Sequence, residues 1–329
     1  MLKILFLRRR GEGFRGAPQA FHEFEQAMSK LAECKHAGLG WPLHRPSESV
    51  DETVRRVMPD ADWVIDRERC EKHDPSRRYK IATYASDLHA FYLCKYRTPQ
   101  EYLNHLNSIG VDAVFLRYKY VYGTNAPEDL FMKELNPKWF FLPWSVDPEW
   151  FKPKKPKRWD VTFIGSVHPR IYPLRQALWM GLPTFCANKK LTLLRRKPPT
   201  GKLFEEKVAD LQRHQTYLVG KKYADAIGES KFFAFGNSRF RYPLLKCVEG
   251  ASAGCIVFMD SPGAAKELGF IDGKTYVKIN EQNWRNKMIY YLENPRQAKS
   301  IAEDARKLIL NRHTHKIRAR HFIDMLKEG

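Results

Sequence analysis

Short apolar runs bounded by turn residues recur through the first 143 positions of the chain. Each run has the length and the continuous hydrophobicity of a strand that is buried on both faces of a parallel sheet. Apolar residues at helical spacing separate these runs at 19–32 and at 99–108. The alternation predicts a doubly wound α/β domain. Its predicted strands are LKILFL (2–7), DWVID (62–66), KIATYAS (80–86), DAVFL (112–116) and WFFLP (139–143).

A second α/β series follows the segment 143–158, which contains four prolines and no hydrophobic periodicity. That composition predicts an interdomain linker. We therefore predict a first Rossmann-like domain over 1–148, a linker over 149–159, a second Rossmann-like domain over 160–310 and a terminal helix over 311–329. The predicted strands of the second domain are 160–165, 232–236, 255–260 and 275–279, with helices near 173–180, 204–217 and 243–253 and from 281 and 296 onward.

No apolar run approaches the roughly 18–20 residues that a membrane-spanning helix requires. The first apolar run, 2–7, is interrupted by Lys3 and is followed by Arg8, Arg9 and Arg10. It is too short for the core of a signal peptide and is better interpreted as a strand. We expect a cytoplasmic protein.

Charge changes this picture, because the 329 residues include 57 Lys and Arg against 37 Asp and Glu, a net charge of +20. Residues 1–150 are almost neutral, with 22 basic and 21 acidic side chains, whereas residues 151–329 carry +19. Residues 152–222 alone hold 17 basic and four acidic side chains. Clustering of this kind favours a polyanionic partner, and a solvated basic face is the alternative interpretation.

A glycine-rich loop follows the first predicted strand. Gly11, Gly13 and Gly16 match G-x-G-x-x-G, with Glu12 and Arg15 between them. A dinucleotide site is one interpretation, but no acidic residue ends a second predicted strand about 20 residues further on. We therefore interpret Gly11, Gly13, Arg15 and Gly16 as a loop that lines a ligand-binding cleft.

Asp87 and His89 follow the predicted strand 80–86. Ligands of open α/β sheets gather at this edge, so both residues are candidate catalytic groups, while capping of the next helix by Asp87 is the alternative. His313 and His315 lie near the end of the chain. They show only two of the ligands that a metal site needs, so we interpret them as surface or interdomain histidines and predict no metal site.

The segment 235–270 contains the strongest chemical pattern. Ser238, Arg239 and Arg241 precede a predicted helix, whose N-terminal N–H groups and positive dipole suit a diphosphate. Glu249 lies one to two turns into that helix, where a carboxylate can accept hydrogen bonds from both hydroxyls of a ribose. The small residues at 250–254 permit close approach of a neighbouring backbone.

The run Lys246-Cys-Val-Glu249-Gly-Ala-Ser-Ala-Gly254-Cys-Ile-Val resembles the R/K-x-x-E-A-x-A-x-G-x-x-V signature of nucleotide-sugar glycosyltransferases with the GT-B fold, in particular CgeB-like and group 1 proteins. Three further stretches resemble that family in the same order. They are 142–151 at the linker, 161–166 followed by Arg170 and Arg175, and 290–318 in the closing helices. The similarity covers 142–325 by motif and 1–141 only in architecture.

The resemblance implies two Rossmann-like domains facing a central cleft, with the C-terminal helix packed back on the first domain. It implies a nucleotide-sugar donor, with UDP expected as the nucleotide, and no obligatory metal or other cofactor. Glu249 would bind the ribose. The remaining donor-binding residues would be Gly165, Ser166, Arg170, Ser238, Arg241 and Lys246. Many retaining members carry a glutamate eight positions before the second glutamate, where this chain has Arg241, so the sugar-contacting carboxylate and the stereochemical outcome are unassigned.

The acceptor is inferred from the charge. A basic insertion is predicted at 188–222, and its run RRKPPTGK is too polar for a core element. The residues predicted to bind a polyanion are Arg195, Arg196, Lys197 and Lys202. Our leading hypothesis is a glycosyltransferase that modifies DNA with hydroxymethylated bases. One alternative is a cell-envelope glycosyltransferase that docks on an anionic membrane surface, and another is a non-catalytic nucleic-acid-binding protein.

Overall fold

A computed structural model describes residues 1–8, 17–66, 72–85, 98–118, 133–198 and 217–329. The chain divides into two compact units, each with one parallel sheet. The first unit comprises Met1–Gly11, His22–Pro143 and Arg318–Gly329, and the second comprises Glu12–Phe21 and Trp144–Ile317. The predicted two-domain, Rossmann-like α/β architecture is confirmed.

The sheet of the first unit has the strand order β2-β1-β3-β4-β5-β6, with every pairing parallel. Its strands are β1 (Lys3–Leu7), β2 (Glu33–Ala37), β3 (Trp63–Asp66), β4 (Lys80–Ala85), β5 (Ala113–Leu116) and β6 (Lys138–Phe141). Five of the six were predicted. The exception, β2, is an edge strand in which exposed and partly buried residues alternate, so it lacks the continuous apolar run of the others.

Three helices accompany this sheet: α1 (Ala17–Met28), α2 (Val50–Val57) and α3 (Pro99–Ser108). The predicted bounds of α3 are confirmed, and the Thr98 side chain caps it by accepting a hydrogen bond from Glu101 N at 3.1 Å. The prediction missed α2. Its start is nevertheless marked in the sequence by a capping box, in which Ser49 N donates to Glu52 Oε2 at 2.7 Å and Glu52 N donates to Ser49 Oγ at 3.3 Å.

The sheet of the second unit has the order β11-β10-β9-β7-β8, again with every pairing parallel. Its strands are β7 (Trp159–Ile164), β8 (Leu193–Arg196), β9 (Ser230–Ala234), β10 (Ile256–Met259) and β11 (Val277–Lys278). The helices that follow α3 are α4 (Pro173–Asn188), α5 (Gly220–Gly228), α6 (Leu245–Ser252), α7 (Ala265–Leu268), α8 (Trp284–Glu293), α9 (Pro295–Arg312) and α10 (His315–Glu328). The predicted helix 204–217 lies outside the described residues, apart from its last residue.

The prediction that 188–222 forms an insertion is wrong for the part of this range that forms β8. Leu193–Arg196 forms a strand of the sheet and pairs with β7 from Val161↔Leu193 to Ile164↔Arg196. Only Leu194 of β8 is fully buried. An edge strand tolerates this polarity, because much of its surface remains in contact with water.

The last helix packs as the resemblance implied. Phe322 of α10 is fully buried within the first unit, where its ring centroid lies 4.5 Å from that of Phe115 and 5.7 Å from that of Phe24. The start of α10 belongs to the second unit, where Ser145 Oγ and His315 Nδ1 are 2.8 Å apart. Both histidines are buried rather than on the surface, and His313 Nε2 lies 2.8 Å from the Leu268 carbonyl oxygen.

The small residues of α6 bring that helix against its sheet. A Cβ at Gly250 would lie 2.6 Å from Phe233 Cδ1 of β9 and 3.0 Å from Val257 Cγ2 of β10. Both neighbours are fully buried, so neither has space to move away. Gly250 therefore sets how closely α6, with Lys246 and Glu249, approaches the strands.

Gly250→Val should destabilise the protein by about 2 kcal/mol, because the added isopropyl group, starting with its Cβ, must displace packed core atoms. Chemical denaturation monitored by circular dichroism would measure the change in the free energy of unfolding. Lys299→Val places the same side chain at an exposed site on α9 and should lower the free energy of unfolding by less than about 1 kcal/mol, through the lost Lys299–Glu303 pair and the lower helix propensity of valine. Equal stability of the Gly250 variant would contradict the tight contact.

Candidate functional site

The site lies at the carboxyl ends of β7 and β9 in the second unit. These strands are neighbours, but the chain continues from β7 outward to β8 before it returns to β9 on the other side. Ligands of open α/β sheets bind at such a reversal of strand order. Gly165 and Ser166 directly follow β7, and Gly236 follows β9 by two residues.

Arg175 of α4 connects the two strand ends. Its Nε donates to the Gly236 carbonyl at 2.6 Å, and its Nη1 donates to the Ser166 carbonyl at 3.2 Å. The guanidinium carbon lies 3.7 Å from the ring centroid of Tyr172. Arg175 is only 4% exposed, and burial lowers its pKa from the ordinary arginine value. A positive charge is thus buried at the point where the strand order reverses, with the Asp260 carboxylate near enough to attract it.

Lys246 and Glu249 lie three positions apart on α6 and so share one face of that helix. A Cβ at Gly165 would lie 3.5 Å from Lys246 Cε and 3.5 Å from Arg175 Nη1, which places both basic side chains beside the end of β7. Glu249 is 6% exposed. The structure therefore brings together four of the predicted donor-binding residues: Gly165, Ser166, Lys246 and Glu249.

Tyr223 of α5 joins the lysine to the glutamate. Its hydroxyl donates to Glu249 Oε2 at 2.6 Å, and Lys246 Nζ donates to the same hydroxyl oxygen at 3.1 Å. Lys246 Nζ also lies 5.1 Å from the centroid of the Tyr223 ring. We call Gly165, Arg175, Tyr223, Lys246 and Glu249 the Lys246 cluster.

The charges of the Lys246 cluster favour an anion. Burial lowers the pKa of Lys246 to about 8, opposed by the nearby Glu249 carboxylate and reinforced by the Arg175 charge. Burial, together with the charge and hydrogen bond of Glu249, raises the pKa of Tyr223 well above its ordinary value, so this phenol stays protonated. At neutral pH the cluster holds two cations against one carboxylate. It can bind an anion at its basic side chains and hydroxyl groups at Glu249.

Two helix N-termini add to the positive electrostatic potential around the Lys246 cluster. α4 begins after Tyr172 and α6 after Leu244, and no side chain in the described part of the chain caps either helix. Uncapped N-terminal N–H groups and the positive end of the helix dipole favour a negative charge. Both helices follow strands of the sheet, so their N-termini lie at its carboxyl edge.

A second polar group supports the loop after β9. Asp260, which follows β10, accepts hydrogen bonds from Asn237 N at 2.6 Å and Asn237 Nδ2 at 3.2 Å. Burial raises the pKa of Asp260, and the hydrogen bonds from Asn237 oppose this effect. The neighbouring Ser238 Oγ is buried and has no hydrogen-bond partner among the described residues. The loop thus presents a fixed hydroxyl with unused hydrogen-bonding capacity.

The remaining donor-binding candidates are less closely tied to the cluster. Arg241 has a left-handed backbone with φ 55° and donates its N–H to the Ser238 carbonyl at 2.7 Å, while its side chain is exposed. Arg170 is exposed and forms no hydrogen bond or ion pair with the described residues. Asp87, His89, Gly11, Gly13, Arg15, Gly16 and Lys202 lie outside the described residues.

Two of the residues predicted to bind a polyanion have partners within the fold. The Arg195 guanidinium carbon lies 3.9 Å, and Lys197 Nζ 4.9 Å, from the ring centroid of Trp179 on α4. Arg195 also donates to the Trp179 carbonyl. Arg196 is exposed, and its Nη1 donates to the Arg195 carbonyl at 2.9 Å. Arg195 and Lys197 therefore cover an aromatic ring at the edge of the sheet.

Sequence reasoning did not identify Tyr223 or the Asn237–Asp260 pair, and it named Arg175 only within a motif. Tyr223 precedes Lys246 by 23 positions and has no local signature. Asp260 offered one usable signal, because it directly follows a buried strand and so lies at the carboxyl edge of the sheet.

Residues 188–324 match the model of a family described as glycosyl transferase-like. A comparison with curated proteins found no match. Solved structures match the whole chain. Sucrose-phosphate synthase from Thermosynechococcus elongatus has 11% identity and a TM-score of 0.67, with 100% of this chain and 99% of that chain covered.

Two ligand complexes also match. Anabaena HepE in complex with UDP-glucose has 13% identity and a TM-score of 0.64, with both chains covered completely. An α-glucosyltransferase in complex with UDP-glucose and DNA containing an abasic site has 10% identity and a TM-score of 0.63, with 99% of each chain covered. The resemblance to GT-B glycosyltransferases is confirmed, and the chain has that fold. Within the described residues, no helix combines the length and hydropathy that a membrane span requires.

Asp260→Ala should destabilise the second unit by about 2 kcal/mol, because the buried backbone N–H of Asn237 loses its acceptor. Asp260→Asn keeps an oxygen at that position and should remain close to the wild-type stability. Urea denaturation of the three proteins would measure the difference. Equal stability of the alanine variant would show that the carboxylate does not support this loop.

Proposed function

We propose that the protein is a glycosyltransferase whose nucleotide-sugar donor binds at the Lys246 cluster. The observation that carries the proposal is the combination at one strand reversal of two cations, Arg175 and Lys246, with the nearly buried carboxylate of Glu249. An anion-binding group and a hydroxyl-binding group side by side fit a nucleoside diphosphate. The GT-B fold of the chain and its family match at 188–324 support this proposal.

In the proposed complex the donor diphosphate lies between Arg175, Lys246 and the N-termini of α4 and α6. The ribose hydroxyls donate to Glu249, and the Ser238 hydroxyl is within the same strand-end region. We propose UDP as the nucleotide, because HepE and the α-glucosyltransferase were each solved with UDP-glucose. Arg170 and Arg241 remain proposed donor contacts.

During transfer the bond between the anomeric carbon and the diphosphate oxygen breaks, and negative charge develops on the departing UDP. Arg175 and Lys246 are already in place to stabilise that charge without reorganisation. The acceptor hydroxyl forms the new bond and loses its proton. Asp87 and His89 remain the proposed acceptors of that proton.

We propose a polyanionic acceptor, with hydroxymethylated DNA as the first candidate. Residues 151–329 carry +19, which exceeds what one diphosphate requires. The α-glucosyltransferase whose structure contains DNA offers a precedent on the same fold. An acceptor at an anionic membrane surface is the alternative.

Incubation with a panel of labelled UDP-sugars should transfer label from at least one donor to DNA that contains hydroxymethylcytosine, but not to unmodified DNA. Glu249→Gln should lower UDP affinity by roughly tenfold or more, because a charge-assisted hydrogen bond to the ribose is lost. Circular dichroism would confirm that the variant is folded, and calorimetry would measure the dissociation constant. Lys299→Gln, on the exposed face of α9, is the matched control and should bind UDP normally.

Label found only in a lipid extract would favour the membrane-surface acceptor. Absence of binding by every nucleotide and nucleotide-sugar tested would overturn the glycosyltransferase proposal and leave the non-catalytic nucleic-acid-binding alternative. Wild-type affinity in Glu249→Gln would reject the Lys246 cluster as the donor site while leaving the activity open.

UDP affinity should fall as pH rises through about 8, because the ammonium form of Lys246 attracts the diphosphate and the neutral amine does not. Between pH 7 and pH 9 the expected loss is about tenfold for a single group of this pKa. Lys246→Arg keeps a cation that does not titrate in this range and should flatten the profile. Calorimetric titrations at five pH values would measure both curves, and parallel curves would contradict the role of Lys246.

A further inference from the structure

The Tyr223 hydroxyl lies between the two charged side chains that the proposed donor site uses. It is 2.6 Å from Glu249 Oε2 and 3.1 Å from Lys246 Nζ. Tyr223 lies on α5, whereas Lys246 and Glu249 both lie on α6. It precedes the glycosyltransferase signature that begins at Lys246 by more than 20 residues. The same hydroxyl thus contacts the group assigned to the ribose and the group assigned to the diphosphate.

The chemistry of the three groups determines where the protons lie. An ammonium group only donates hydrogen bonds and a carboxylate only accepts them. Lys246 must therefore donate to the tyrosine oxygen, and that oxygen must direct its own proton to Glu249. This fixes one orientation of the hydroxyl and leaves two N–H groups of Lys246 for a ligand.

Packing holds the tyrosine in this position. The Tyr223 ring makes an edge contact with the ring of Phe151 at a centroid distance of 5.9 Å. Phe151 is buried, and its carbonyl accepts a hydrogen bond from Ser252 Oγ at the end of α6 at 2.7 Å. Val219, immediately before α5, is fully buried. The hydroxyl is thus supported from both α5 and α6 rather than swinging freely.

We propose that Tyr223 is a positioning residue that couples recognition of the ribose by Glu249 to recognition of the diphosphate by Lys246. The inference rests on the proposed donor site. Opposite charges three positions apart on one helix face attract each other directly. The intervening hydroxyl gives each charge a partner and keeps both directed toward a ligand, whereas without it the lysine and the glutamate are free to pair with each other.

The proposed coupling predicts how nucleotides with and without the 2′-hydroxyl should bind. Glu249 accepts hydrogen bonds from the ribose hydroxyls only while Tyr223 orients its carboxylate. The preference for UDP over 2′-deoxy-UDP therefore measures that orientation independently of total affinity. A residue that merely stabilised the fold would weaken both nucleotides alike and leave their ratio unchanged.

Tyr223→Phe retains the ring and removes only the hydroxyl. We expect its affinity for UDP to fall roughly tenfold, in line with the loss of a hydrogen bond to a charged group. The ratio of the two dissociation constants, 2′-deoxy-UDP over UDP, should fall at least threefold from its wild-type value. Calorimetry on the full-length chain would measure all four constants, with circular dichroism to verify folding.

Tyr276→Phe is the matched control. Tyr276 is 2% exposed in the same unit, and its hydroxyl is paired with Ser261 Oγ at 2.7 Å. This variant also loses one buried tyrosine hydroxyl, but outside the Lys246 cluster. It should leave both the UDP affinity and the nucleotide ratio at their wild-type values.

Lys246→Met provides a second measurement that does not depend on the folding of Tyr223→Phe. Coupling through Tyr223 predicts that loss of the lysine also lowers the nucleotide ratio, although Lys246 itself is assigned to the diphosphate. An unchanged ratio in Lys246→Met, or in a folded Tyr223→Phe, would overturn the coupling and leave the donor site standing. If the wild-type protein binds neither nucleotide, the proposed function fails first, and the inference falls with it.

Discussion

The burial of one guanidinium between the ends of two parallel strands is the constraint on which the functional site depends. A guanidinium does not lose its proton in a protein, so Arg175 needs acceptors wherever it is buried. The carbonyls of Ser166 and Gly236 provide them and thereby join the ends of β7 and β9. A Cβ at Gly236 would lie 2.9 Å from Leu174 Cβ and 3.2 Å from Arg175 N, so glycine is required there for α4 to approach. The positive charge is consequently in position before any ligand arrives.

The strands that sequence reasoning predicted are those with a short, continuous apolar run in the sequence. Of the four edge strands in the described part of the chain, β6 and β11 have such a run and were predicted, whereas β2 and β8 were missed. In β2 and β8 part of the surface faces water, so Glu33–Ala37 shows no apolar run and Leu193–Arg196 was assigned to a basic insertion. Arg195 shows why that assignment failed, because its guanidinium lies over the Trp179 ring and makes a charged residue part of the packing. The charge of a residue was a poor guide to its exposure at this edge.

Some residues of the candidate site could be predicted from local sequence, and others could not. Lys246 and Glu249 were assigned through the resemblance to the glycosyltransferase signature, and their spacing on one short helix puts them on a common face. Tyr223, the Asn237–Asp260 pair and the contacts of Arg175 depend on how separate helices and strands pack together. Tyr223 on α5 contacts Lys246 and Glu249 on α6, but no periodic pattern in the sequence indicates this contact. The packing of the two helices on the core sets their relative position.

Some of the basic side chains in residues 152–222 form contacts within the fold, so not all of the net positive charge of this segment is free for a partner. Lys154 and Lys221 both pair with Asp225, Arg158 pairs with Glu229, and Lys157 Nζ donates to the Gly228 carbonyl at 2.7 Å. These contacts surround the turn between α5 and β9. Part of the excess therefore holds the proline-rich segment against the second unit. The exposed Lys189, Lys190 and Arg196 are better candidates for contact with a polyanion.

Under the proposed function, Glu249 allows the Lys246 cluster to reject some anions as well as to bind others. Arg175 and Lys246 alone would attract any phosphate, but a carboxylate three positions from Lys246 repels an anion that brings no hydroxyl groups to it. In the proposed complex a nucleoside diphosphate would satisfy both requirements, because its charged end would face the cations while its ribose would donate to the carboxylate. A simple polyphosphate would bring no hydroxyl groups to Glu249 and would place like charges side by side, at a cost of the kind that separates cognate from non-cognate ligands. Under the proposed function, the carboxylate that makes the cluster less positive would thus also select which anions bind to it.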